Sequence, residues 1–348
     1  MFSEERYKLL RQRMEKQKYH FVGRHSVVKK CYWNHAAIVE GRFCYKCKFY
    51  GIESHRCIQM SPTAFWCWNA CLHCWRLRPQ DMGFDWDETK MPYADTPEEI
   101  VEGMIREYRR LVSGYKGHPR ADPERIKEAM EPKHVAISLT GEPTLYPYFN
   151  DFLKEIHKRG MTSFLVTRGV RPDVLSKLEE EPSQTYLSLE SWDKESYQYF
   201  NKPLVPRAWE LTLETMDLFR TMKNPTVYRI TLVKGWNTGE KQLQALAKLV
   251  ERGEPTYVEL KSYMYVGASR YRLGRQNMLS HEEVRSIAEV FSELTGYPVR
   301  SESKPSRVVL LSKLDKPFRH GKGCPQGWGT PDYPGESEYN PSDPEAKL

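Results

Sequence analysis

Three cysteines in the stretch CWNACLHC, Cys67, Cys71 and Cys74, are spaced to hold metal, and they are one short of a closed structural site. Structural zinc completes a tetrahedron of four protein ligands, whereas a 4Fe-4S cube held by three thiolates leaves one iron open to a small molecule. The CxxxCxxC spacing therefore points to a cluster with an open iron; zinc would have to recruit another ligand, such as His73 or Cys57. Cys31, Cys44 and Cys57, separated by twelve residues each time, form a second set of three. The economical reading is a second 4Fe-4S cluster with its own open iron. Cys47, in CYKC, competes with Cys44 for that role, and the even spacing favours Cys44. Cys324 stands alone and reads as a small buried side chain.

These ligands need a scaffold, and 348 residues with 39% hydrophobic content are enough for a buried core. No run approaches the roughly 20 apolar residues of a membrane helix, and the amino-terminal stretch lacks the apolar centre of a secretory signal. A cytoplasmic location is expected, where clustered cysteines bind metal or catalyse more often than they cross-link. Net charge is +7, and residues 1–30 hold nine Lys or Arg against three Glu, so most of the excess lies there. That segment suits either an acidic partner or a solvated helix.

Short apolar runs at CIQMSPTAF, HVAISLTG, TSFLVTRG, TYLSLES, TVYRITLV, YVELKSY and SRVVLLS read as buried strands. Helical patterns separate them; the clearest starts at Thr96, with Pro97 in the first turn and Glu99 completing a capping box. Such alternation predicts an α/β fold with a parallel sheet and outer helices, a partial (β/α)6 barrel whose chemistry gathers at the carboxyl ends of the strands. The expected division is a basic extension over 1–57, a barrel core over 58–312, and a carboxyl-terminal extension over 313–348 ending in a Pro-, Gly- and acid-rich flexible tail.

With the cysteine spacing in place, the chain resembles the radical S-adenosylmethionine enzymes. The resemblance implies S-adenosylmethionine on the open iron of Cys67, Cys71 and Cys74, cleaved by one electron to a 5′-deoxyadenosyl radical. His73 occupies a position often aromatic in that family, near the adenine. LTGEP, with Gly141, Glu142 and Pro143, resembles the segment that holds the methionine amino group. LVTRG, with Thr167, looks like another cofactor-side strand end, and Ser188 and Glu190 in YLSLES are candidates for the ribose or methionine carboxylate. Trp66, Trp68 and Trp75 are candidates for a dry shell around the cluster.

The two cysteine sets together, with YVELKSYMYVG and KPLVPRAWELTLETM, resemble the wyosine-forming tRNA 4-demethylwyosine synthases over nearly the whole chain. That resemblance implies N1-methylguanosine beside the anticodon of tRNA(Phe) and pyruvate as substrates. It also implies Lys46 as a candidate Schiff-base lysine and the second cluster as a site that polarises pyruvate. Eukaryotic relatives carry a flavodoxin-like domain ahead of the cysteines, so an external flavodoxin- or ferredoxin-like electron donor is expected here, with the protein a monomer. Lys29, Lys30, Arg76 and Arg78 are the candidate RNA-phosphate contacts. Two rival readings are a radical enzyme with an auxiliary cluster acting on a peptide or metabolite, and a zinc-stabilised RNA-binding protein without catalysis.

Overall fold

In the computed structural model, residues 3–84, 88–324, 327 and 328 are described. Ten strands form one sheet: β1 His20–Val22, β2 Ser26–Val28, β3 Cys57–Ser61, β4 His134–Ile137, β5 Thr162–Thr167, β6 Gln184–Leu189, β7 Thr226–Leu232, β8 Tyr257–Ser262, β9 Val299–Ser303 and β10 Val308–Leu311. Their order is β1-β2-β3-β4-β5-β6-β7-β8-β10-β9. Strands β3 to β8 pair in parallel in sequence order, each joined to the next through helical segments outside the sheet. These six strands are six of the seven expected runs, and they build the predicted barrel.

The seventh run differs in direction. Val308–Leu311 pairs antiparallel with β8, because only a short turn separates it from β9 and a parallel return would need a crossover. At the other edge, the basic amino-terminal segment forms a helix over Glu4–Lys16 and then the hairpin β1–β2, whose second strand pairs with β3. The expected boundary at 57/58 thus falls at the first residue of β3. The flexible tail expected near the carboxyl terminus lies, from residue 329 onward, outside the described residues.

The helix Pro97–Ser113 starts as patterned: the Thr96 hydroxyl accepts from Glu99 N (3.3 Å), and Glu99 Oε2 accepts from Thr96 N (3.0 Å). It buries Ile100, Val101, Met104 and Tyr108 against Ile58, Val135 and Ile137 of β3 and β4. A similar layer covers the other side, where Leu187, Ile230, Val258 and Leu260 meet Met216, Leu246 and Phe291. Truncating one such side chain to Ala costs roughly 2–5 kcal/mol.

Inside the barrel the inward residues are mostly polar or aromatic, with Ala136 and Val166 as apolar exceptions. The short helix Tyr45–Tyr50 plugs the lower end, packing Tyr45, Phe49 and Tyr50 against Phe164, Tyr186 and Tyr257. The carboxyl-terminal segment closes over this plug: His320 N donates to Tyr50 O (2.9 Å) and Trp328 N to Lys48 O (2.9 Å). The interior above the plug is not fully enclosed. Among the described residues, no helix is long and apolar enough to cross a membrane.

Candidate active site: two cysteine triplets on one cavity

A cavity of about 470 Å³ fills the barrel above the aromatic plug. Its wall follows the two-residue period of the strands: Cys57 and Gln59 come from β3, Ala136 from β4 and Ser138 just beyond it, Val166 from β5, Ser188 from β6 and Glu190 just beyond it, Arg229 and Thr231 from β7, and Lys261 from β8 and Tyr263 just beyond it. Cys31, Cys44, Cys67, Cys74, Lys46, His73 and Gly141 share the wall. Residues far apart in sequence therefore meet at one place.

The first cysteine loop is held from outside by two arginines. Arg78 donates to the carbonyls of Ala70 and Cys71 (3.1 Å to Cys71) and pairs with Asp81 (2.9 Å). Arg272 donates to Leu72 O (3.0 Å) and to Cys74 O, and pairs with Asp81. Backbone bonds add to the clamp: Ala70 N donates to Asn201 O and Leu72 N to Phe200 O. With its carbonyls turned outward, the loop directs Cys67 and Cys74 to the cavity. Cys71 lies just behind, its sulfur accepting from Asn201 Nδ2 (3.3 Å). Trp66 is fully buried, and Trp75 lines the wall.

LTGEP divides its roles. Gly141 has φ +67°, and a Cβ there would overlap the Thr63 carbonyl, so only glycine fits. Thr140 and Gly141 face the cavity, but Glu142, expected to meet the methionine amino group, spends its carboxylate within the protein. It accepts from Thr144 Oγ1 (2.7 Å), Thr167 Oγ1 (2.7 Å) and Arg168 N (2.8 Å), tying the ends of β4 and β5 together. Pro143 starts the turn Pro143–Leu145, and Thr167 holds Glu142 instead of lining the wall.

Glu190 is fully buried. Burial works against its charge, but Arg168 and His73 outweigh that and hold its carboxyl below the ordinary range. Arg168 pairs with it directly, Asn201 Nδ2 donates to it (3.3 Å), and His73 Nε2 lies 3.3 Å away. Burial pushes the His73 imidazole down. Glu190 Oε1, His73 Nδ1 and the Nε and Nη2 of Arg76 are buried without hydrogen-bond partners among the described residues. An amino-acid ligand with an ammonium and a carboxylate fits such orphaned groups. The chemistry of the donors therefore suits S-adenosylmethionine beside three thiols.

The second triplet also converges. Cys31 and Cys44 occupy the residue preceding the helices Tyr32–Val39 and Tyr45–Tyr50, and Cys57 opens β3. Burial raises all three thiols, and burial together with the neighbouring Cys31 pushes Cys44 and Cys57 up to about 12. Neighbouring thiols in a dry wall suit a site that takes them up as thiolates. Cys47 points elsewhere, buried against Cys324. Among the described residues, no three His, Cys, Asp or Glu side chains converge as ligands of a single ion would.

Lys46 Nζ lies 4.3 Å from the Tyr186 ring centre and 5.5 Å from that of Phe164. Burial, then Arg229, lowers its pKa. Beneath it Glu259 accepts from Tyr50 OH (2.7 Å), Arg229 Nε (3.0 Å) and Tyr45 OH (3.1 Å). Lys261, pushed down to about 8 by burial and Arg229, donates to the Ser306 carbonyl. The sequence reading missed Arg229, Glu259 and Lys261. Their signal was a charge in the middle of an otherwise apolar strand, in TVYRITLV and YVELKSY.

The four expected RNA contacts differ in their settings. Lys29 is buried with Nζ 4.4 Å over the Tyr19 ring, and Lys30 is exposed with Nζ 4.8 Å over Tyr115. Arg76 lies in the wall, its Nη1 donating to Tyr19 OH (3.0 Å). Arg78 is occupied in the cysteine-loop clamp.

Residues 61–250 match the radical SAM superfamily, and residues 252–313 match a family described as wyosine base formation. The S-adenosyl-L-methionine-dependent tRNA 4-demethylwyosine synthase of Pyrococcus abyssi is 47% identical over 305 residues, covering 86% of this chain and 87% of that protein. The protein of the same name from Methanocaldococcus jannaschii is 42% identical over 317 residues, covering 91% and 98%. Among solved structures, TYW1 with a lysine-pyruvate adduct bound superposes with a TM-score of 0.79 at 38% identity, covering 92% of this chain and 99% of that one. A crystal structure of archaeal TYW1 gives 0.73 at 37% identity, covering 92% and 100%.

Proposed function

The chain belongs to the S-adenosyl-L-methionine-dependent tRNA 4-demethylwyosine synthases, within the radical SAM superfamily, and on that premise we propose how its cavity performs the reaction. The substrates are tRNA(Phe) carrying N1-methylguanosine beside the anticodon, and pyruvate, which contributes carbons 2 and 3 and loses its carboxylate. One observation carries the reading: Lys46, Cys31, Cys44, Cys57, Cys67 and Cys74 lie on the wall of a single cavity, with Cys71 just behind it.

Cys67, Cys71 and Cys74 would hold the first 4Fe-4S cluster, with the Thr140–Gly141 backbone, Ser188, Glu190 and His73 around S-adenosylmethionine. Bound there, cofactor and cluster supply a 5′-deoxyadenosyl radical able to take a hydrogen from the N1-methyl group. Cys31, Cys44 and Cys57 would hold a second 4Fe-4S cluster, which would act as a Lewis acid toward pyruvate.

The chain's own work centres on Lys46. Its amine, desolvated and faced by Arg229, is disposed to add to the keto carbon of pyruvate and form an imine with loss of water. Arg229 and Lys261 supply positive charge opposite the pyruvate carboxylate. The lysine-pyruvate adduct in the related TYW1 structure supports this assignment. The cavity, which is not fully enclosed, would admit a base extruded from the single-stranded anticodon loop.

Residues 1–57 would then serve the second cluster and 58–312 the radical chemistry, with the carboxyl-terminal extension beginning at 313 and its His320 and Trp328 closing the lower end. A low-potential flavodoxin- or ferredoxin-like protein is the proposed reductant, and a cytoplasmic monomer the proposed state. The test is iron counting and low-temperature electron paramagnetic resonance of the anaerobically reconstituted, reduced protein. Two cluster signals are expected, one altered by S-adenosylmethionine and the other by pyruvate; a single signal insensitive to pyruvate would overturn the second site.

A further inference from the structure

Leading away from His73 in the cavity wall is a set of aromatic and basic side chains that no step above uses. His73 stacks on Phe200 with ring centres 5.5 Å apart and planes 8° from parallel. Phe200 stacks on Trp236 (5.0 Å, 14°), and Trp236 on Tyr199 (5.3 Å, 29°). This row of four rings starts beside Cys74 and ends on a side chain that is 63% exposed.

A second exposed ring belongs to the segment after β8. That segment is fixed to the cysteine loop by Arg272 and by the packing of Gly267 against the Trp75 carbonyl. It presents Tyr271, 74% exposed, next to exposed Arg270. Phe200 and Tyr263 pack in one apolar group with Leu72, Trp236 and Tyr265, which joins the two rings' supports into one surface. Lys202, also exposed, follows Asn201 at the cysteine loop. Arg270 gives one N–H to the Gly267 carbonyl (3.2 Å), and neither cation forms an ion pair among the described residues.

Resting on the reading that tRNA is the substrate, we propose that these side chains form the rim at which the anticodon loop binds. Tyr271 and Tyr199 stack nucleotides flanking the extruded base, and Arg270 and Lys202 meet their phosphates. A base drawn into the cavity leaves its neighbours without a stacking partner, and exposed rings backed by rigid packing replace it. Uncommitted cations beside such rings complement a phosphate backbone. An acidic electron-transfer protein would meet the same cations but has no use for two open ring faces beside the entrance.

The test is fluorescence-anisotropy titration of anaerobic, cluster-loaded protein with a tRNA transcript bearing N1-methylguanosine. Tyr271→Ala and Tyr199→Ala should each weaken binding roughly fivefold to a hundredfold. Arg270→Ala and Lys202→Ala should each flatten the slope of log affinity against log salt by about 0.7. Lys248→Ala, exposed on the outer helix Glu240–Gly253, should bind as wild type, and iron content should be unchanged throughout. If wild-type protein with full iron binds no tRNA, the functional reading falls and the rim proposal with it. Should wild type bind and the rim variants match Lys248→Ala, the rim proposal alone is overturned. Variants that bind tRNA normally but are reduced slowly by a flavodoxin would also overturn it, assigning the surface to the electron donor.

Discussion

Arg229 and Glu259 are register partners on β7 and β8, joined by a 3.0 Å bond from Arg229 Nε to Glu259 Oε2 inside the barrel. Glu259 is fully buried, and two tyrosines from the amino-terminal plug, Tyr45 and Tyr50, donate to it as well. The pair thus fastens the segment bearing Cys44 and Lys46 to the barrel floor. A buried carboxylate left without its guanidinium is costly, whereas removal of both charges costs much less. Arg229→Leu and Glu259→Leu should each destabilise the protein by about 3–5 kcal/mol, with the double variant well below their sum. Urea unfolding of all four proteins closes the cycle; additive losses would remove the coupling.

Cys44 and Cys47 make opposite predictions. Cys44 faces the cavity with Cys31 and Cys57, and Cys47 lies against Cys324. Cys44→Ala should lose about half of the bound iron, as expected for one of two cubes. Cys47→Ala should retain nearly all of it, as iron analysis after reconstitution will report.

The alternation of the barrel strands, the capping box at Thr96 and both cysteine triplets were legible because each is a local pattern with a fixed period or spacing. What was not legible depends on which groups meet. LTGEP announced a turn, but only the fold shows Thr167 and Arg168 N occupying the Glu142 carboxylate. Arg78 read as a phosphate contact because charge alone does not reveal that Ala70, Cys71 and Asp81 claim it. The hairpin β1–β2 was hidden in a basic segment whose strands are only three residues long, too short to display a period.

Asn201 Nδ2 donates to Cys71 Sγ at 3.3 Å, and hydrogen bonds to cluster sulfurs set reduction potential. Its loss withdraws a positive dipole from the ligand. Asn201→Leu should lower the potential of the S-adenosylmethionine-responsive cluster and leave the pyruvate-responsive one unchanged. A resonance-monitored redox titration reads both; equal shifts would mean a general disturbance.

His320 gives the lower closure a pH dependence. Burial, with help from His134 and Lys46, pushes its imidazole down to about 4. The unfolded value is about 6.5, so between these two the unfolded chain binds more protons, and stability present above pH 6.5 is lost as pH falls toward 4. The loss amounts to about 2–4 kcal/mol. Denaturant midpoints at pH 7 and pH 5 should differ less for His320→Gln than for wild type; equal differences would acquit this residue.

The most direct test is turnover by the anaerobic, reconstituted protein with S-adenosylmethionine, a one-electron reductant, tRNA carrying N1-methylguanosine, and pyruvate labelled at each carbon in turn. Nucleoside mass analysis should find label from carbons 2 and 3 in a tricyclic base and none from carbon 1, with Lys46→Arg giving no such product despite full iron content. Retention of carbon 1, or an unaltered methylguanosine alongside cleaved S-adenosylmethionine, would contradict the joining of radical and pyruvate chemistry in this cavity.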